Sequence, residues 1–358
     1  MWLRIKFGKP IFGASELAAV LEVLKKRRLT QGGNVLQFEE RFQETVGGGR
    51  AVAVSSCMAA LHLAYLAKGI GPGDEVLVPA LTHVATVHAV ELVGAKPVFI
   101  DAHPSSGQMD TDLIEAQITP RTKALGLVHF LGSPAYMRTT MDMARRHNLY
   151  VVEDCALALG TQHNGSSSHV GLIGDVGCFS FYPVKHITTG EGGMFLTKHP
   201  ELADRAAMMR SFGQDGDKNA VLLGLNYRMT EMAAALGLEQ LKRFADFRHR
   251  REANERFLRH ALAGFDLLGH NYALAVKVPD TKDRDDIRHR LLVDHQVETS
   301  VYYPCAVPSQ RYYRAKYGRV ECPVADMICA RYITMSVGPH LGEEDMIYQA
   351  KAFKRLVK

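Results

Sequence analysis

A chain of 358 residues with 47% apolar and 23% charged side chains has the composition of a folded protein with one large domain and a smaller one, not of a disordered or fibrous chain. Its formal charge of +5 is modest and spread along the length, which gives no footing for nucleic-acid binding. No apolar run approaches the ~20 residues of a membrane helix, and the N-terminal hexapeptide carries charges where a signal peptide is apolar, so a cytoplasmic protein is expected.

In chain order, the basic run Lys25–Arg28 falls in a helical stretch and reads as a solvated face, as does Arg248–Arg251 further on. From about residue 50, short β-branched runs alternate with helical stretches. Ala51–Ser55, Glu75–Pro79, Pro97–Asp101, Ala124–His129, Leu149–Asp154, Val176–Phe181 and Met194–Thr197 read as strands, most of them apolar on both faces and therefore central. Met58–Lys68, Val84–Leu92, Thr111–Gln117 and Arg138–His147 carry apolar residues at helical spacing between them. The Gly- and Pro-rich Gly69–Asp74 ends the first of these helices and turns the chain into the second strand. The pattern predicts an α/β fold whose large domain, residues 1–247, holds a mostly parallel seven-stranded sheet flanked by helices and closes on a long helix, Met229–Phe247. Residues 248–358 read as a smaller C-terminal α+β domain with a helix, a strand near Val297–Tyr303, a loop rich in Pro and Tyr, and a final helix from Glu343.

One window carries chemistry. Val151-Val152-Glu153-Asp154 ends a strand in an acid, and roughly 30 residues later Lys185 stands in a loop between strands, an arrangement that pyridoxal phosphate (PLP) can use. A carboxylate opposite the pyridine nitrogen keeps that nitrogen protonated, and a lysine amine that can lose its proton attaches to the aldehyde and later acts as a base. Asp154 and Lys185 are the candidates. Ser180, near the end of a strand, could reach the cofactor phosphate, and Gly190-Glu191-Gly192-Gly193 lets the backbone turn tightly after the lysine. The six cysteines, Cys57, Cys155, Cys178, Cys305, Cys322 and Cys329, show no zinc spacing, so free thiols and no metal are expected.

Phe179–Gly193 resembles the lysine motif of the DegT/DnrJ/StrS family of sugar aminotransferases, which have the aspartate-aminotransferase fold, known as fold type I. The likeness extends through Ala51–Leu61, Gly71–Asp101, Ile118–His129 and Asn226–Gln240. The resemblance implies a homodimer with shared active sites, with Lys185 as Schiff-base lysine, Asp154 on the pyridine nitrogen and Ser180 on the phosphate. Asn226 would reach the phosphate of the neighbouring subunit's cofactor. Ser56-Cys57-Met58-Ala59-Ala60-Leu61 stands where the family has Ser-Gly-Thr-Ala-Ala-Leu, so at Cys57 and Met58 only backbone donation from a helix N-terminus carries over. Leu157 replaces a glutamine near the phenolic oxygen, and His83 stands where an aromatic residue commonly stacks on the ring. Thr30 in Leu29-Thr30-Gln31-Gly32, His186 and Tyr302 in Tyr302-Tyr303-Pro304 match segments beside the sugar or lie next to the lysine.

The implied activity is transfer of an amino group from an amino acid, L-glutamate by family analogy, to a keto-sugar on a nucleotide. Two alternatives stand beside it. Some relatives are PLP-dependent deoxysugar dehydratases with His in place of the lysine, which His186 keeps in view. The changes at Cys57, Met58 and Leu157 also suit a catalytically altered family member that binds a sugar or regulates.

Overall fold

The computed structural model describes residues 3–163 and 166–358. Two helices, α1 (Ala14–Lys26) and α2 (Gly33–Val46), precede the first strand. The main sheet is built from β1 (Arg50–Val54), β2 (Glu75–Pro79), β3 (Lys96–Ile100), β4 (Thr122–Val128), β5 (Tyr150–Asp154), β6 (Val176–Ser180) and β7 (Gly193–Thr197), in spatial order β1-β7-β6-β5-β4-β2-β3. Strand β7 alone is reversed, pairing antiparallel with β1 and β6, while the other four pairings are parallel. All seven strands expected from the β-branched runs are present, each within two residues of its expected ends.

Helices cover both faces, which is why these strands are apolar without alternation. Helices α3 (Cys57–Lys68) and α4 (Val84–Leu92) pack on the face that carries Val54, Val78 and Val152. Helix α5 (Met137–Arg146) covers Leu125 and Val151 on the opposite face, and α2 covers Ala51 and Ala53 there. Adjacent residues of one strand thus point to opposite faces, so Asp154 shares the α3 side with Val152 while Glu153 faces the other. After α6 (Pro200–Met209), helix α7 (Glu231–Lys242) packs against α1 and α2.

Three expectations are corrected. Thr111–Gln117 forms two single 3₁₀ turns, Thr111–Leu113 and Glu115–Gln117, and not an α-helix. The helix expected over Met229–Phe247 breaks at Arg243, whose guanidinium donates to Glu16 and to the Ile11 carbonyl. The chain then continues as α8 (Phe244–Ala261), which runs through position 247/248 where the sequence suggests a division. Finally, the strand expected near Val297–Tyr303 is reduced to isolated pairings of Val297 with Ile5 and of Ser300 with Thr334.

The second sheet is instead β10-β9-β8, made from β8 (Leu267–Leu268), β9 (Ala273–Lys277) and β10 (Tyr332–Ser336), all antiparallel. Helices α9 (Arg284–Val293), α10 (Arg311–Tyr317) and α11 (Pro323–Arg331) separate β9 from β10, and α12 (Glu343–Val357) ends the chain as expected. Leu274, Val276 and Ile333 of this sheet form one apolar core with Leu258 of α8 and Phe353 of α12. Asp101, just past β3, ties the two parts together by accepting the amides of Val324 and Ala325 at the start of α11. Among the described residues no helix is long and apolar enough to cross a membrane.

Candidate active site

The C-terminal ends of the parallel strands converge on a pocket of about 440 Å³. Asp154, the last residue of β5, lines it and is 5% exposed. Thr86 of α4 donates its hydroxyl to Oδ2 of Asp154 at 2.7 Å, and Thr82 and Thr86 share a hydroxyl bond of 2.8 Å. The Ala156 amide donates to Oδ1 at 3.0 Å, and the Cys57 Sγ stands 3.8 Å from the same oxygen. Burial, with the Asp154 charge, pushes the Cys57 thiol well up, so sulfur meets that carboxylate as a neutral group.

Lys185 lies in the loop after β6 and lines the same pocket, its Nζ 5.5 Å from the ring centroid of Tyr272. Its amide donates to the Tyr182 carbonyl at 2.9 Å, and its own carbonyl accepts from Arg251 of α8 at 3.4 Å. The loop is therefore held from both sides. Ser180 lines the pocket at the end of β6, where its hydroxyl faces the Tyr182 amide at 3.4 Å.

Cys57 and Met58 line the pocket at the first turn of α3, which Ser56 caps by accepting the Ala59 amide at 3.1 Å. Close approach makes this turn possible: a Cβ on Gly193 would lie 2.4 Å from the Ser56 carbonyl carbon. Only glycine lets β7 pass so near the backbone that opens α3. The left-handed φ of +82° at Gly190 supplies the turn into β7.

His83 caps α4, its Nδ1 accepting the Ala85 amide at 3.2 Å, and its ring lies 5.8 Å from that of Tyr303. Burial lowers the imidazole pKa, so the ring is neutral. Tyr302 and Tyr303 close the pocket from the second part of the chain, and the Tyr302 hydroxyl is bonded to that of Tyr272 at 2.7 Å. Leu157 lines the wall with no polar atom to offer.

The structure thus gathers Asp154, Lys185, Ser180, Cys57, Met58, His83 and Tyr302 into one pocket. It leaves three expected residues outside. Thr30 is exposed and pairs with Thr230, and Asn226 is exposed and pairs with Ser211. His186 is 3% exposed and borders a separate small cavity, because neighbouring residues of the extended loop point to opposite sides. Thr86 and Tyr272 went unread in the sequence, and Arg251, expected in a solvated basic run, is instead 5% exposed and bonded to the carbonyl of Lys185. Thr82 and Thr86 stand four residues apart across the start of α4, but nothing local links Thr86 to Asp154.

On the opposite face of the sheet, Glu153, His129 and Cys155 form a buried cluster. Glu153 accepts from His129 Nε2 and from the amides of Gly171, Ile173 and Gly174, and His129 Nδ1 accepts the Ala135 amide. Its bonds are used in holding loops. All six cysteines are free.

Residues 10–354 match the family model described as the DegT/DnrJ/EryC1/StrS aminotransferase family. GDP-perosamine synthase of Escherichia coli O157:H7 is 35% identical over 358 residues, covering 95% of each chain. Among solved structures, S. venezuelae DesV in complex with a ketimine intermediate superposes with a TM-score of 0.88 at 33% identity, over 96% of this chain and 95% of that one. The putative sugar aminotransferase Spr1654 of Streptococcus pneumoniae, in its PMP form, gives 0.92 at 26% identity, over 99% and 98%.

Proposed function

The chain belongs to the DegT/DnrJ/EryC1/StrS aminotransferase family, and from that premise we propose that it transfers an amino group from L-glutamate to a nucleotide-linked keto-sugar with PLP as cofactor. The observation that carries the reading is the pair formed by a buried carboxylate, Asp154, and an amine, Lys185, in one pocket that also opens on the first turn of α3. This donor set fits PLP: a carboxylate for the ring nitrogen, an amine for the aldehyde and helix-terminal amides for the phosphate. The relatives supply the substrate class, through the names GDP-perosamine synthase and sugar aminotransferase.

Lys185 would hold the cofactor through Nζ, Asp154 would face its ring nitrogen, and Ser180 with the amides of Cys57 and Met58 would take its phosphate. When bound, PLP supplies an electron sink at the substrate carbon and a carrier for the amino group. Thr86 and the Ala156 amide fix the Asp154 carboxylate in one orientation, so that it would meet the ring nitrogen without first rearranging. Once the donor's amine has displaced it from the cofactor, Lys185 Nζ, anchored through its backbone to Tyr182 and Arg251, would be the free amine that takes the proton from the donor's Cα and returns one at the carbon that receives the amine. His83 would offer the cofactor a neutral ring, while Leu157, Tyr302 and Tyr303, which line the same pocket, would exclude water from the reacting carbon. Leu157 makes no bond to the phenolic oxygen, so cofactor affinity rests on the remaining contacts.

The proposed assembly is a cytoplasmic homodimer with shared sites, which accounts for Thr30 and Asn226 lying outside the pocket of their own chain. Exposed apolar side chains nearby, Phe212, Val221 and Leu223, are the surface such a dimer would bury. The dehydratase reading loses support because Lys185, not His186, borders the pocket.

The test is a panel of GDP- and TDP-linked 3-keto and 4-keto sugars incubated with glutamate. Amino-sugar and 2-oxoglutarate in equal amounts are expected. Cofactor binding with no amine formed from any of them would overturn the aminotransferase reading in favour of a sugar-binding or regulatory protein.

A further inference from the structure

Behind the Lys185 loop, on the side away from the large pocket, lies a second cavity of about 20 Å³. That is room for a single small ion or water, and not for an organic ligand. Val184 and Lys185 border both cavities, so one stretch of backbone separates them. The N-terminal segment, residues 7–11, forms one wall of this one. Gly8 presses so near Val184 that a Cβ there would lie 2.4 Å from its Cγ1.

The lining is one-sided in charge. Lys9, Lys185, His186, Arg251 and His340 border the cavity, and among the described residues no carboxylate does. Arg251 is 5% exposed, and its two terminal nitrogens donate to the carbonyls of Tyr272 and Lys185 at 3.0 and 3.4 Å. Among the described residues its Nε has no partner, nor does Nε2 of His186, which is 3% exposed. The nearby acids are engaged elsewhere: Glu16 with Arg243 and Gln240, and Glu255, one turn along α8, with Arg259 and the Asn271 amide. A buried guanidinium without a counter-charge is costly, and two carbonyl dipoles offset that cost only in part.

We propose that this cavity is a binding site for a small inorganic monoanion of chloride size, held between Arg251 Nε and the His186 imidazole. Arg251 donates from Nε, and the neutral imidazole presents its N–H from Nε2. The ion supplies the missing counter-charge and fastens α8 to the backbone of Lys185. The site is independent of whether the large pocket acts as proposed above.

Bromide serves as the probe, with the whole 358-residue chain as purified. In a crystal soaked in sodium bromide, an anomalous peak is expected within hydrogen-bonding distance of Arg251 Nε. At equal ionic strength, bromide and chloride are expected to raise the thermal midpoint above its value in gluconate, an anion too large to enter. Arg251→Met should abolish that difference. Should the variant fail to fold, the two measurements on the unaltered chain decide the matter. A water without anomalous signal in the cavity, or identical midpoints in bromide and gluconate, would overturn the site.

Discussion

At the scale of single residues, Asp154 and Lys185 do what their spacing in the sequence suggested they could: they border one pocket. That much was legible because a strand-end acid and a loop lysine in successive units of a parallel sheet are delivered to the same edge. Thr86 was not legible as a site residue, since its bond to Asp154 depends on how α4 is laid against β5. His186 misled for a related reason, as adjacency to Lys185 in sequence puts it on the other side of the loop. Asp154→Asn keeps the shape of the side chain and removes its charge. It is expected to lower kcat for amine transfer by roughly 10²–10³-fold while leaving the urea midpoint near that of the parent. An unchanged kcat would remove Asp154 from the mechanism.

At the scale of elements, the strands of the main sheet were readable because burial on both faces makes each a compact apolar run bounded by turns. The second sheet was hidden: β8 has two residues, and β9 and β10 are separated by three helices, so their pairing leaves no local trace. Two side chains that tie elements together give measurable consequences. Asp101 caps α11 across the boundary between the two sheets, and Asp101→Ala is expected to cost about 1–2 kcal/mol in urea unfolding. A loss within error of zero would show the cap to be replaceable by water. Glu255 of α8 holds the turn before β9. Burial alone would raise its carboxyl, but His270, the Asn271 amide and Arg259 together bring it down to about 2. A depressed carboxyl stabilises the fold above its unfolded value, near 4.3, and loses that contribution as pH falls towards 2. The urea midpoint is therefore expected to drop between pH 5 and pH 3 more steeply in the parent than in Glu255→Gln, and parallel curves would contradict the linkage.

At the scale of the whole molecule, the chain is closed on itself by its N-terminal segment, in which Ile5 pairs with Val297 and Gly8 packs on Val184. No periodicity announces such long-range pairing. The same holds for assembly, which the sequence conveyed only through family likeness at Asn226. If sites are shared, a Lys185→Ala subunit paired with an Asn226→Asp subunit has one site that lacks both groups and one that is intact. Mixing and refolding the two inactive variants should then restore about a quarter of the parent activity, as expected for random pairing in a twofold dimer. No recovery, with mixed dimers shown to form, would place each site within a single chain. The claim on which everything else rests is that Lys185 carries the cofactor. Borohydride reduction of the protein loaded with PLP, followed by digestion and mass spectrometry, tests it directly. A pyridoxyl group on the peptide containing Lys185 is the expected result; a label on another lysine, or on none, would contradict the account.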